Sequence, residues 1–267
     1  MEQGPGSIRA NVYRTFQATV TALFGGDTDN RRNAQRLSDG LPPGLHDSDF
    51  ISTLFECFAS DRWQSPTSPA RSNWLWRTEG TDHSDTRAEV KLERDVFDRG
   101  GSATWSFQMS TMSGLFEPGG HQRRAIDLVH RIEPDAFAFI ELKVDSNNPV
   151  FAAFEILGYG LAYCQARRFA DVHSSASTHD VLRARKIQLV VLAPSRWYKF
   201  NLRGAPKQFF RLVELSAAFN DGLERLRLKL GLSDLDALTF EFRQFEDEPS
   251  LLKQVGDGES GGTLLVY

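Results

Sequence analysis

The 267-residue chain has only two cysteines, Cys57 and Cys164, far apart and with no Cys-x-x-Cys pair. That excludes a zinc knuckle or a disulfide framework and makes a reducing, cytoplasmic compartment the expectation. No apolar run approaches the roughly 18 to 20 residues a membrane span needs. The most apolar stretch, 150–166, is cut by Glu155, Gly158, Gly160 and Gln165. The first residues lack a basic start followed by an apolar core, so no secretory signal is expected. No GxGxxG, Walker A or GxSxG sequence occurs, which leaves nucleotide-binding and serine-hydrolase readings without support. The six histidines show no ligand spacing, and His130 reads as a core or rim residue.

What is present is a globular composition. Hydrophobic residues make up 40% and charged residues 25%, too apolar for disorder. The length allows one to two domains. A net charge of −4 argues weakly against nucleic acid as a partner, but the average hides a split. Residues 121–215 carry 14 Lys and Arg against 9 Asp and Glu, a net of +5. Residues 1–120 carry 12 against 16, and residues 216–267 carry 5 against 10. The middle is basic and the ends are acidic.

Apolar positions four apart (Val12, Phe16, Val20, Phe24) predict a helix over 8–24, and Phe50, Leu54, Phe55 and Phe58 predict a second over 48–60. Residues 61–86, rich in Ser, Pro, Thr and Asp, read as a loop whose tryptophans Trp63, Trp74 and Trp76 are pinned on a neighbouring surface. Thr86 to Phe97 reads as a helix stopped at Gly100-Gly101. Alternation predicts strands at 103–109, 124–132 and 136–144. A long helix at 150–168, a strand at 186–193, a helix near 206–230 and a strand at 238–244 complete the pattern. The fold class is α/β, an αβββαβ core with a mixed central sheet flanked by helices, preceded by a helical extension. Residues 1–80 form that extension and could serve recognition or oligomerisation, or pack on the core. Residues 81–245 form the core, and 246–267 an acidic tail expected to be mobile.

The strands 124–132 and 136–144 carry the chemistry. Side chains alternate faces, so Ala125, Asp127, Val129 and Arg131 share one face of the first, and Phe137, Phe139, Glu141 and Lys143 one face of the second. Ile126, Leu128, His130 and Ile132 share the opposite face. A three-residue loop centred on Pro134 sets Asp127 opposite Glu141, and a five-residue loop centred on Asp135 sets it opposite Lys143. A two-residue loop would shift the register by one and send Asp127 to the other face. Two carboxylates and an ammonium in a covered sheet are costly unless something compensates. A hard divalent cation does so, bound by one or two carboxylates, waters and substrate phosphates. The lysine can position or activate a water and offset charge on the phosphate. The alternative is an internal salt bridge of Lys143 with Glu141 or Asp127.

Asp127 followed by Glu141-Leu142-Lys143, in this order of elements, resembles the PD-(D/E)XK nuclease superfamily, the restriction-endonuclease-like fold. The resemblance covers about 85–200. The first half of the motif is reduced to Ile126-Asp127. It implies a phosphodiesterase that uses Mg²⁺ or Mn²⁺, with Asp127 and Glu141 as metal ligands and Asp127, Glu141 and Lys143 as the catalytic residues. In many members an acid from the first helix joins the metal site. Glu93, flanked at helical spacing by Val90, Val96 and Phe97, is the inward candidate, and Glu89 the wetter one. Glu155 and Tyr159, four apart after the motif strand, resemble the Gln-x-x-x-Tyr element of the RecB-like branch with Glu for Gln. Glu89, Glu155 and Tyr159 thus stand around the site, although Tyr159 equally suits a core.

Arg123, Arg124, Arg167, Arg168 and Lys199 are the candidate nucleic-acid contacts in the basic segment. Trp197, Tyr198 and Phe200 interleave the later cations and could stack on unpaired bases. The implied partner is nucleic acid, DNA before RNA, with no membrane and with a homodimer possible. The alternative function is a catalytically inactive protein of the same fold that binds nucleic acid or protein.

Overall fold

The computed structural model describes residues 12–23, 43–47, 49–59, 61–64, 72–79, 85–113, 115, 125–145, 148–170, 180–201 and 206–256. Seven α-helices are placed among them: α1 (Val12–Leu23), α2 (Phe50–Glu56), α3 (Ala88–Gly100), α4 (Pro149–Arg168), α5 (Ser195–Asn201), α6 (Pro206–Lys229) and α7 (Glu248–Gly256). Five strands, β1 (Trp105–Ser110), β2 (Ala125–Glu133), β3 (Ala136–Leu142), β4 (Lys186–Pro194) and β5 (Ala237–Phe245), form one sheet in the order β1-β2-β3-β4-β5. The β1/β2 and β2/β3 pairs are antiparallel, and β3/β4 and β4/β5 are parallel. A mixed α/β sheet flanked by helices was the expected class.

All seven residues of β3 are buried, as befits a strand covered on both faces. One face packs on α4 and α6 in the larger apolar cluster, which holds Phe137, Phe139, Leu157, Phe219 and Phe240. The other packs on α3 and α7 in a smaller cluster with Leu92, Val96, Leu128, Ile140 and Leu251. The C-terminal segment therefore differs from expectation: residues 248–256 form a helix whose Leu251 is buried against the sheet, and residues 257–267 lie outside the described residues.

The helix α4 starts where Asn148 accepts a hydrogen bond from the Phe151 amide (2.9 Å), with Pro149 in its first turn. Seventeen of its twenty residues are buried, Phe151, Glu155 and Arg168 being the exceptions. A helix apolar all round needs cover on every side. The N-terminal extension supplies it: Phe50 lies edge-on to Phe154 (6.2 Å), and Phe16 packs over Gly158. The described part of residues 1–80 packs on the core, since Phe16, Phe50, Trp63 and Trp74 belong to the same cluster as the sheet. Trp63 and Trp74 are fully buried, as pinned tryptophans should be.

The hairpin holds a surprise in its turn. Glu133 pairs with Ala136, so the turn is the two-residue Pro134-Asp135. That alone would put Asp127 on the wrong face. A bulge between Arg131 and Glu133 absorbs the extra residue, and Leu128 then pairs with Ile140. Carried one residue further, this register sets Asp127 opposite Glu141. On the other side, Phe107 pairs with Leu128 and Met109 with Ile126, which sets Gln108 opposite Asp127. Gln108 has φ 46°, a left-handed conformation rare for a side chain with a Cβ. At that level the alternation changes sense: Ile126 joins the larger cluster, whereas Leu128 stays in the smaller one, so the two do not share a face as expected.

Gly160 is required where α4 crosses β4, since an added Cβ would meet Leu189 Cδ1 at 2.4 Å. Leu189 is itself fully buried and has little room to yield. Gly160→Ala is expected to destabilise the protein by roughly 2 kcal/mol despite the better helix propensity of alanine. Thermal unfolding checks this: a Tm several degrees lower is expected, partly recovered by adding Leu189→Val.

Candidate functional site

At the end of the sheet where β3 gives way to Lys143 lies a cleft of about 480 Å³. Five carboxylates line it, Glu89 and Glu93 from α3, Asp127 from β2, Glu141 from β3 and Glu155 from α4, together with Lys143, Gln108 and Tyr159. The backbone explains the convergence. β2 and β3 bring Asp127 and Glu141 face to face, and Lys143 sits two residues beyond Glu141, where its amide donates to Leu192 O on β4 (2.9 Å).

The contacts inside the cleft are specific. Asp127 Oδ2 accepts from the Leu142 amide (3.0 Å). Lys143 Nζ donates to Glu141 Oε1 and forms an ion pair with Glu155 Oε2 (3.4 Å). Gln108 Nε2 donates to Glu93 Oε2 (2.6 Å), and Glu89 Oε1 accepts from the Val144 amide (3.2 Å). The second carboxylate oxygen of Glu141, Oε2, is buried and has no hydrogen-bond partner.

Burial and mutual repulsion set the protonation. Glu141 is 3% exposed, and burial, then the charges of Asp127 and Glu155, push its carboxyl well above the ordinary range. Burial raises Asp127 to about 7 against the pull of Lys143, with Glu155 adding to the rise. Burial and the charge of Asp127 raise Glu93 to about 8. Burial opposes the charge of Lys143, but Glu141, Glu155 and Asp127 outweigh it and hold the ammonium protonated. Lys143 in this arrangement is a cation and proton donor, not a free base.

The two α3 acids differ in the expected sense: Glu93, the inward one, is 2% exposed, and Glu89, the wetter one, is half-buried. Glu155 lines the cleft, and Tyr159 lines it while also belonging to the core. The candidate nucleic-acid contacts divide differently. Arg123 and Arg124 lie outside the described residues. Arg167 turns inward, where it donates to Tyr163 Oη (2.7 Å), Leu182 O (3.0 Å) and Ala184 O (2.5 Å) and pairs with Asp234 (2.8 Å). It is a structural arginine, with no free surface for a phosphate. Arg168 is exposed, but thirteen helical residues from Glu155 place it about 20 Å along α4 from the cleft. Lys199 and Phe200 are exposed on α5, while Trp197 and Tyr198 are buried, which removes those two as stacking platforms. His130 is a core residue stacked on Trp105 (4.2 Å), and burial lowers it to about 4.

Sequence reasoning missed Gln108, Arg77 and Arg87, which also line the cleft. The strand pattern gave no hint that Gln108 would adopt a left-handed backbone, and Arg77 sits in a segment read as loop. No family model, curated protein or solved structure matches the chain.

Among the described residues no three His, Cys, Asp or Glu side chains stand at metal-ligating spacing. The donor chemistry nonetheless suits a hard cation. Five of the lining side chains are carboxylic acids, Glu141 Oε2 has no hydrogen-bond partner, and burial penalises the acids' charged form, which a cation would offset. Asp127 and Glu141, with Glu93 beside them, are the residues that would hold it.

Carboxylates raised on folding weaken the fold as pH climbs, since the folded state then binds protons that the unfolded chain has already released. Between pH 6.5 and 8 Asp127 and Glu93 lose theirs, whereas the contribution of neutral His130 is already complete above its ordinary value of 6.5. The Tm of protein in EDTA is therefore expected to fall over this window. Glu93→Gln should fall less steeply, and added Mg²⁺ should raise the Tm most at the alkaline end. A flat or rising profile in EDTA would contradict the assignment.

Proposed function

We propose that the cleft hydrolyses phosphodiester bonds of nucleic acid, DNA before RNA, as a metal-dependent nuclease of the PD-(D/E)XK type. The observation that carries this reading is the convergence at the end of the hairpin: Asp127 accepts from the Leu142 amide next to Glu141 and shares one cleft with Glu141, Lys143 and Glu93. The αβββαβ order around them supports it. A Mg²⁺ or Mn²⁺ held there would supply a water of lowered pKa and neutralise charge on the phosphate.

The chain's own residues have separate tasks in this reading. Asp127 and Glu141 anchor the cation. Lys143, kept protonated by its carboxylate neighbours, faces the negative charge that develops on the phosphate. Glu155 keeps that ammonium aimed into the cleft. Gln108 orients the Glu93 carboxyl. The acids also exclude a substrate that brings negative charge without a cation, so binding and metal loading are linked.

A catalytically silent binding protein is the second reading, favoured by Lys143 resting on Glu141. Purified protein incubated with duplex DNA, single-stranded DNA and RNA separates the two. Cleavage that needs Mg²⁺ or Mn²⁺, stops in EDTA, falls about 10²–10³-fold in Lys143→Ala and is lost in Asp127→Ala supports the nuclease. Binding that survives Lys143→Ala unchanged, with no cleavage of any form and no metal uptake in titration, supports the silent protein. Loss of folding in Asp127→Asn with neither activity nor binding would reduce the charged trio to a structural role.

A further inference from the structure

The cleft's cations are few, and most are committed. Lys143 serves Glu141 and Glu155, and Arg87 pairs with Asp85 (2.6 Å). Arg77 differs. Among the described residues its guanidinium has no carboxylate partner. It lies over the Phe107 ring, 5.6 Å from the centroid, and lines the cleft beside Gln108, Ser110 and Asp127.

Its backbone is firmly held. The Arg77 amide donates to Ser106 Oγ (2.9 Å), the Trp74 amide to Ser110 O (2.7 Å) and Trp76 Nε1 to Ser102 O (2.7 Å). Asn73 exchanges two hydrogen bonds with Ser113 (3.0 and 2.8 Å). Residues 73–77 thus run fixed along the outer edge of β1. The side chain at the end of this strap is exposed, so its ordering does not come from burial. A cation anchored by its backbone and free at its tip, on the rim of a cleft lined by five acids, is placed for an anion entering that cleft.

We propose that Arg77 contacts a backbone phosphate of the substrate, so that the segment ahead of α3 supplies a binding residue to the site. This rests on the phosphodiester reading above. A phosphate contact adds affinity without sequence preference and steepens the salt dependence of binding.

The test is binding of a labelled DNA duplex, and of one of its strands, by fluorescence anisotropy. It is run in Ca²⁺ in place of Mg²⁺, with the probe checked to be uncut, from about 50 mM to about 200 mM salt with the full chain, Arg77→Ala and Arg77→Lys. Arg77→Ala is expected to bind on the order of tenfold more weakly, with the slope of log K against log salt shallower by about one. Arg77→Lys should recover most of the slope, and the Tm of both variants should match that of the unmutated protein. Unchanged affinity and slope in Arg77→Ala, with the unmutated protein binding normally, overturns the role of Arg77 and leaves the nuclease reading intact. If the unmutated protein neither binds these probes nor cuts them with Mg²⁺ or Mn²⁺, the phosphodiester reading fails and Arg77's role fails with it.

Discussion

Two carboxylates set opposite each other on adjacent strands repel, and every layer of this protein bears on how that repulsion is held. Glu141 is on a strand buried on both faces, so it cannot turn to water. Lys143 answers it from two residues away, and the Leu142 amide between them answers Asp127. The register that creates the pair is fixed not by the turn alone but by the turn and the bulge together. Remove the bulge and Asp127 leaves the cleft for the opposite face, where Leu128 and Ile140 pack.

The covering layers follow from the same constraint. β3 is buried on its α4 side, and α4 in turn is apolar almost all round. That is stable only because α1 and α2 cover its outer side, with Phe16 over Gly158 and Phe50 against Phe154. The extension is therefore part of what holds α4, and with it Glu155 and Tyr159, in place rather than an appendage. The strap at residues 73–77 does comparable work at the other margin: it covers the outer edge of β1, an edge that would otherwise offer unpaired amides and carbonyls.

The element order, the hairpin and the inward Glu93 were legible in the sequence because each depends on local period and turn chemistry. The charged trio could be set on one face, but only by assuming a loop length. The actual two-residue turn and the bulge at Ile132 cancel, and neither leaves a mark in the residue pattern. Gln108 was invisible for a related reason: its left-handed backbone reverses the alternation it was expected to obey. The arginines were the least legible. Arg167 and Arg168 are neighbours in sequence, yet one is sunk among the carbonyls of Leu182 and Ala184 and the other is exposed. Which side of a buried helix faces a carbonyl cage is decided by chain far away, at 181–184 and Asp234. Among the described residues Lys143 and Arg167 are the buried cations of the basic segment 121–215, while Arg77, which lines the cleft, lies in the acidic N-terminal portion.

Lys143 has two carboxylate partners on different elements, Glu141 on β3 and Glu155 on α4. That duplication has a physical consequence. A buried ammonium with a single partner is stranded when the partner is engaged elsewhere, at a cost of several kcal/mol. With Glu155 in place, Glu141 can be drawn toward a cation while the lysine stays paired and charged. The same three groups can then serve as an internal ion network or, in the reading proposed above, as a site in which a metal would draw on Glu141. Its unsatisfied Oε2 is the atom already free for that exchange.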